Sequence, residues 1–561
     1  MLKRIKDNLN FQFLILAIAA LALFIFCVVP FISLFEKILF SGTDGQFSFA
    51  AFRDAFASAA TLQAIGNTIV VSSLVAAGCL LVGVPMAWLL TRSDLPWAGR
   101  FRSWLSLPFA IPPYVGAIAW IFLANPTTGL LNKFFAENVF NIYSMAGLVF
   151  VETSFLYTFI LMTTLSSLDR MDSSLEEAAR LSGASPLQVF RDISLPLMRP
   201  AIISGGLLVF LASAASFGVP ALIGSPARLY LMTTQIYTFQ KMGSMSGLLK
   251  AGALSSALMI TALLALFLSQ VLVRNQRLQT VGGKTARPSV FSLGHWRTPL
   301  LLLLSAFFAV VFLLPVSGIL LSSLSHIQGE LSFSNLTFSN WHRVLFEVDE
   351  VGRAMANSLS LSAGAASLAV LVGLLVSYIQ VKTTVPGRGL LDIFASLPYA
   401  TPGTVVALAL IITFSGSFMG IFPSLYNTAV LILIAYVVKY LSFAVKTTSD
   451  AYRQIDEVLA EAARVSGASW LQVMLHIWLP LLRPALVAGW FLVFMPVMSE
   501  LTMTVLLTGP GLETIGTVIF QLQEYADASG GGASVLAVIV IAAVIAINFL
   551  VKRVSRGKYG L

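Results

Sequence analysis

The chain has 561 residues, of which 57% are hydrophobic and only 11% charged, and its mean hydropathy is +0.88. A water-soluble domain of this size would be left with vast exposed apolar patches, so composition excludes one. A bilayer-spanning helix needs about 20 mainly apolar residues, and this sequence predicts an all-α polytopic membrane protein rather than a nucleic-acid binder, despite a net charge of +9.

Taken in chain order, twelve apolar stretches predict spans near 12–36, 65–90, 104–124, 144–167, 200–220, 250–273, 298–322, 355–380, 391–415, 428–445, 484–507 and 532–551. The first follows the basic start MLKRIKDN, but its apolar run of about 25 residues exceeds the 7–15 of a secretory signal core, so it reads as a retained helix. With the N-terminus inside, the cytoplasmic segments carry 25 of the 34 Lys and Arg, the outer segments 8, and Lys439 falls within a span. This bias follows the positive-inside rule and places both termini in the cytoplasm. Cys27 and Cys79 both fall in predicted spans, and His295, His326, His342 and His476 are scattered, so no disulfide framework or His/Cys metal site is expected.

The chain is also duplicated. Residues 177–201, EAARLSGASPLQVFRDISLPLMRPA, and 461–485, EAARVSGASWLQVMLHIWLPLLRPA, agree at 18 of 25 positions at an offset of 284. Asn67 matches Asn357, Gly83 matches Gly373, Pro96 matches Pro386, and LPFAIPP from Leu107 matches LPYATPG from Leu397, all at an offset of 290. The pattern predicts two homologous six-helix halves, 1–273 and 298–561, joined by a basic cytoplasmic linker at 274–297. The GGKT at Gly282 to Thr285 lacks the first glycine of a phosphate loop, since position 278 is Leu278.

Each repeated segment reads as helix, sharp turn, short helix. Leu168, Met171, Leu175, Ala178 and Ser182 recur at helical spacing, as do Tyr452, Ile455, Leu459, Ala462 and Ser466, so each set predicts one continuous helical face. Gly183 and Gly467 follow where a helix end takes a positive φ, and Ser185 and Ser469 stand as N-caps, the first with Pro186 after it. Glu177 with Arg180, and Glu461 with Arg464, are spaced to pair at i, i+3.

The pattern E-A-A-x-x-x-G, nine residues, then I-x-L-P is filled by Glu177, Ala178, Ala179, Gly183, Ile193, Leu195 and Pro196, and again by Glu461, Ala462, Ala463, Gly467, Ile477, Leu479 and Pro480. Both copies resemble the cytoplasmic loop of permease subunits of binding-protein-dependent ABC importers, and the resemblance covers about 65–270 and 355–550. It implies the type I importer transmembrane fold in a bacterial inner membrane, and coupling helices that dock on two separate ATPase subunits inside. It also implies a periplasmic solute-binding protein outside, and no catalytic residue or cofactor in the chain itself.

SFGVPALIG from Ser216 and ELTMTVLLTGPGLETIG from Glu500 make the sequence resemble the ferric-iron importers most closely, with thiamine, polyamine, phosphonate and sulfate permeases sharing the architecture. Intramembrane charges are costly and therefore informative. Glu500 has two readings: an oxygen ligand along the path of a hard cation, or a partner of Lys439 or cap of a helix break. Its mate in the first half is Ser216, so such a path would be asymmetric. Glu152 reads as interfacial, near the outer end of the fourth span. Pro112 and Pro402 break the third and ninth spans near their starts, as gate elements or as ordinary kinks. An ion-coupled secondary transporter is the competing class, but it needs intramembrane carboxylates, of which Glu500 is the main one here. A membrane scaffold that transports nothing would use small residues such as Ala76, Ala77, Gly78 and Gly83 only for helix packing.

Overall fold

The computed structural model describes residues 17–41, 46–135, 138–274, 290–330, 332–416, 423–524 and 531–554. In the first half the principal helices are α1 (Ala17–Leu39), α2 (Ala59–Arg92), α3 (Ala98–Ala110), α4 (Pro113–Ala124), α5 (Met145–Arg170), α6 (Ser174–Leu181), α7 (Pro186–Ala214), α8 (Met232–Lys241) and α9 (Met245–Arg274). The second half continues with α10 (Gly294–Leu324), α11 (Asp349–Lys382), α12 (Arg388–Ala400), α13 (Gly403–Phe414), α14 (Ala429–Gln454), α15 (Val458–Val465), α16 (Trp470–Met498), α17 (Ile515–Glu524) and α18 (Gly532–Val554). Isolated bridges, Ser93 with Phe291 and Ser325 with Leu336, are the only β pairings among the described residues.

Among those residues nine single helices are long and apolar enough to cross a membrane, and two bent pairs, α3 with α4 and α12 with α13, pass the same test jointly. With α18, of 23 residues, every one of the twelve expected spans falls on a helix or helix pair. The expectation of a break at the starts of the third and ninth spans is met by bends of 93° and 109°.

Two expected spans shift. The fifth begins at Pro186, because the short helix after the glycine turn runs straight into it through a widened π turn at Phe190–Ser194. The eleventh likewise starts at Trp470 through Met474–Trp478, and it ends at Met498, so Glu500 lies beyond the helix rather than within it. Pro196 and Pro480 sit just past these turns. Proline lacks an N–H and crowds the preceding turn, and one wide turn accommodates both defects.

Glycine permits close helix crossings at matching places in the two halves. A Cβ at Gly83 of α2 would lie 2.8 Å from Ile160 of α5, and one at the matching Gly373 of α11 would lie 3.0 Å from Ala444 of α14. The two positions are alike in sequence because each lets two membrane helices approach to backbone contact.

The halves of the duplication are not the halves of the packing. One core joins α2, α4 and α5 to Leu304, Val311 and Ile319 of α10 and to Val535, Leu536 and Val540 of α18. The other joins α11, α13 and α14 to Cys27, Leu34 and Ile38 of α1 and to Leu254 and Leu258 of α9. Each half thus lends its first and last helices to the other.

Candidate functional site

The two repeated loops adopt the same surface. Residues Ser182 to Ser185 and Ser466 to Ser469 form the turns, with Gly183 at φ +89° and Gly467 at φ +91°, values only glycine takes without strain. Ser185 and Ser469 then cap α7 and α16 in full capping boxes with Gln188 and Gln472. The continuous helical face expected from Leu168 to Ser182, and from Tyr452 to Ser466, is interrupted. Asp172 accepts the amide of Ser174 at 2.9 Å and Asp456 accepts that of Val458 at 3.2 Å, and these side-chain turns end α5 and α14 and start fresh helices, α6 and α15.

Glu177, Ala178 and Gly183 are exposed and Ala179 half-buried, and the same holds for Glu461, Ala462, Gly467 and Ala463. The described partners of the charged residues differ from the i, i+3 pairing expected. The hydroxyl of Ser173 lies 3.3 Å from Glu177, Arg180 lies over the Phe291 ring at 5.7 Å, and Arg464 reaches the Tyr378 hydroxyl at 3.4 Å. Beside these charges each loop exposes a matched apolar triad, Leu175, Leu181 and Leu187 in the first and Leu459, Val465 and Leu471 in the second. Leu181 and Val465 are each 90% exposed, an orientation that costs free energy unless something covers it.

Beneath this common surface the two loops rest on different foundations. In the first, Arg92 at the end of α2 and Glu176 of α6 form an ion pair at 2.6 Å with side chains 2% and 1% exposed. Arg92 also donates to the Leu168 carbonyl at 3.0 Å, and the Ser194 hydroxyl donates to the other Glu176 oxygen at 2.6 Å. The matching residues of the second half are Lys382, Ala460 and Trp478. There Lys382 donates to the Ile455 carbonyl at 2.9 Å and lies over the Trp478 ring at 5.0 Å, within an aromatic cluster of Tyr378, Tyr452, Trp470 and Trp478.

Among the described residues, the end of the inter-half segment docks at the end of α2, beside the first loop. Phe291 accepts from Asp94 and donates to Arg92 through the backbone, at 3.0 and 2.9 Å, and its ring stacks on Trp88 at 4.8 Å. Asp94 receives the Leu293 amide at 2.9 Å and the Ser292 hydroxyl at 3.3 Å. These donors, Leu293 foremost, hold the Asp94 carboxyl below its ordinary pKa. Residues 275–289, including the GGKT run, lie outside the described residues.

Between the two halves lies a cavity of about 550 Å³. Its wall includes the break from Pro108 to Tyr114, Glu152 of α5, Ser216 to Val219 after α7, and from the second half Tyr399, Tyr440 and Ser499 to Thr502. Of the four expected pathway positions, Ser216, Pro112 and Glu500 line it, whereas Pro402 is outside the wall and serves as N-cap of α13. Glu152 is buried within the protein. It stands two turns inside α5, is 1% exposed, and accepts a hydrogen bond from Ser213 of α7.

Glu500 caps a helix start. Its carboxylate accepts the Met503 amide at 2.9 Å, the Thr504 amide at 3.0 Å and the Thr504 hydroxyl at 2.5 Å, opening the short helix Thr504–Leu507. Lys439 donates instead to the carbonyls of Pro398, Tyr399 and Thr401 at the bend between α12 and α13. No ion pair joins the two among the described residues. No group of three or more His, Cys, Asp or Glu among those residues is placed to hold a metal ion.

Duplicated loops on a frame of membrane-length helices, with a cavity where the halves meet, define a membrane transport subunit. The family described as binding-protein-dependent transport system inner membrane component matches the chain twice, at residues 79–278 and 352–558, and the chain belongs to it. It is therefore a fused ABC permease, and ATP hydrolysis falls to separate subunits. Over 541 residues it is 26% identical to the ferric transport system permease protein FbpB of Actinobacillus pleuropneumoniae, spanning 95% of this chain and 77% of that one. A putative 2-aminoethylphosphonate transport system permease protein, PhnU, of Salmonella typhimurium is 28% identical over 201 residues, 35% of this chain and 70% of that one. Among solved structures, a bacterial alginate ABC transporter in complex with a periplasmic protein covers 47% of this chain at 20% identity, with a TM-score of 0.37.

Proposed function

We propose that this chain is the permease of an ATP-driven importer that passes ferric iron, delivered by a periplasmic binding protein, into the cytoplasm. In this reading two ATPase subunits dock on the exposed triads around Leu181 and Val465, both termini are cytoplasmic, and the cavity between the halves is part of the passage. The observation that carries the ATPase reading is the matched pair of triads. Two loops in separate halves, on different interiors, keep the same apolar residues outward, as they would for two identical partners. Glu177, Ala178, Ala179 and Gly183, with Glu461, Ala462, Ala463 and Gly467, belong to those docking surfaces. The choice of ferric iron rests on the ferric permease that aligns with nearly the whole chain, whereas the phosphonate permease aligns with about a third.

The test is reconstitution in proteoliposomes with the ATPase and binding protein of the same system, and comparison of ferric iron with thiamine, polyamine, phosphonate and sulfate. ATP-dependent accumulation of iron alone is expected. Accumulation that persists without the ATPase and follows an ion gradient would replace this reading with a secondary transporter.

A further inference from the structure

The cavity wall holds two carboxylates, and they differ in how their oxygens are used. Both oxygens of Glu500 accept hydrogen bonds from Met503 and Thr504, so this residue is bound up in shaping the chain. Glu152 accepts from Ser213 and has the Ser216 hydroxyl beside its carboxylate, while its second oxygen is buried with no partner in hydrogen-bonding geometry. On the same wall the hydroxyl of Tyr114, a residue 5% exposed, is also buried and unpartnered.

A carboxylate oxygen and a phenol left unpaired inside a membrane protein are costly, and such groups mark sites that something else completes. The fold contains the inexpensive alternative. The position matching Glu152 at offset 284 is Tyr436, whose hydroxyl lies 2.6 Å from that of Thr504. The first half departs from that satisfied arrangement at the residue that lines the cavity.

We propose that Glu152, with the hydroxyls of Tyr114 and Ser216, is a way-station that ligates a hard trivalent cation in transit. The carboxylate supplies the charge and the hydroxyls supply further lone pairs, a set that hard cations favour. This inference rests on the ferric-iron reading and names the carboxylate of its path as Glu152 rather than Glu500.

Terbium(III) is a suitable probe, being hard and trivalent, with an emission sensitised by a neighbouring tyrosine. The assembled transporter is expected to show tyrosine-sensitised terbium emission. Glu152→Gln should weaken terbium affinity about tenfold or more and lower the iron accumulated per ATP hydrolysed, and Glu152→Asp should restore part of both. Should Glu152→Gln fail to assemble, Tyr114→Phe keeps the question open to test, because the hydroxyl it removes has no partner to lose; it should reduce the sensitised emission. Emission and iron per ATP that match wild type in these variants would overturn the way-station, as would a wild-type transporter without sensitised emission. Terbium bound through Glu152 in a transporter that moves another solute and no iron would leave the site standing and refute the ferric reading.

Discussion

The two repeated loops of this permease share an exterior and differ inside. Outside, Leu175, Leu181 and Leu187 repeat as Leu459, Val465 and Leu471, and both glycine turns have nearly the same φ. Inside, a buried Arg92–Glu176 ion pair on one side faces Lys382 packed on Trp478 on the other. A surface read by a partner is held to one pattern, whereas an interior answers only to its own neighbours and can be solved twice. The first solution is polar and brittle, the second aromatic and forgiving.

That contrast can be broken most forcefully at Glu176. Glu176→Ala leaves Arg92 buried and unpaired, and removing one partner of such a pair costs about 3–5 kcal/mol. Thermal unfolding of the purified permease should show a large loss, and the triple variant Arg92→Lys, Glu176→Ala, Ser194→Trp, which installs the second-half residues, should recover most of it. If Glu176→Ala were as stable as wild type, the two interiors would not differ in kind.

The turns should respond alike. Gly183→Ala and Gly467→Ala each force a side chain into the left-handed region, at about 1–2 kcal/mol per residue, and both should lower uptake per ATP by similar factors. A severe effect at one turn and none at the other would mean that only one loop transmits.

A smaller and equally symmetric loss is expected from Ser185→Ala and Ser469→Ala, since an N-cap is worth about 1 kcal/mol. Hydrogen exchange of the Gln188 and Gln472 amides would report it directly.

The smallest effect separates the loops again. Asp94 has a depressed pKa in the folded state, so the contribution of its contacts is present above the ordinary carboxylate range and is lost as pH falls through the folded value. The Leu293 amide should therefore lose exchange protection in acid, and Asp94→Asn should remove this pH dependence. Protection that did not change with pH would show that the segment is held by Phe291 alone.

What the sequence revealed follows the range of the interactions involved. Most span positions, the glycine turns and the serine caps depend on residues within a few positions of one another and were visible, whereas the fifth and eleventh spans, entered through π turns, were placed too late. The interruption before α6 was local too, since Asp172 and Asp456 stand at matching positions, but the apolar periodicity ran through them and concealed it. The Arg92–Glu176 pair joins residues 84 apart, and no local pattern announces it. A signal did exist in the comparison of the halves: Arg92 becomes Lys382 while Glu176 becomes Ala460, a joint change that contact would explain. The burial of Glu152 was not visible because its neighbour Ser213 lies on another helix, whereas Glu500 was visible as a break because its ligands follow it directly.

The exchange of first and last helices between the halves has a consequence for how the chain is made. When residue 274 leaves the ribosome, α1 and α9 have both been made, but residues such as Ala365, Val405 and Leu431, which complete their core, have yet to be translated. Until then those faces have only lipid or chaperone for company. The first half cannot finish folding before the second arrives, and joining both in one polypeptide ensures that the missing neighbours are delivered in equal number, to the same place and in the right order.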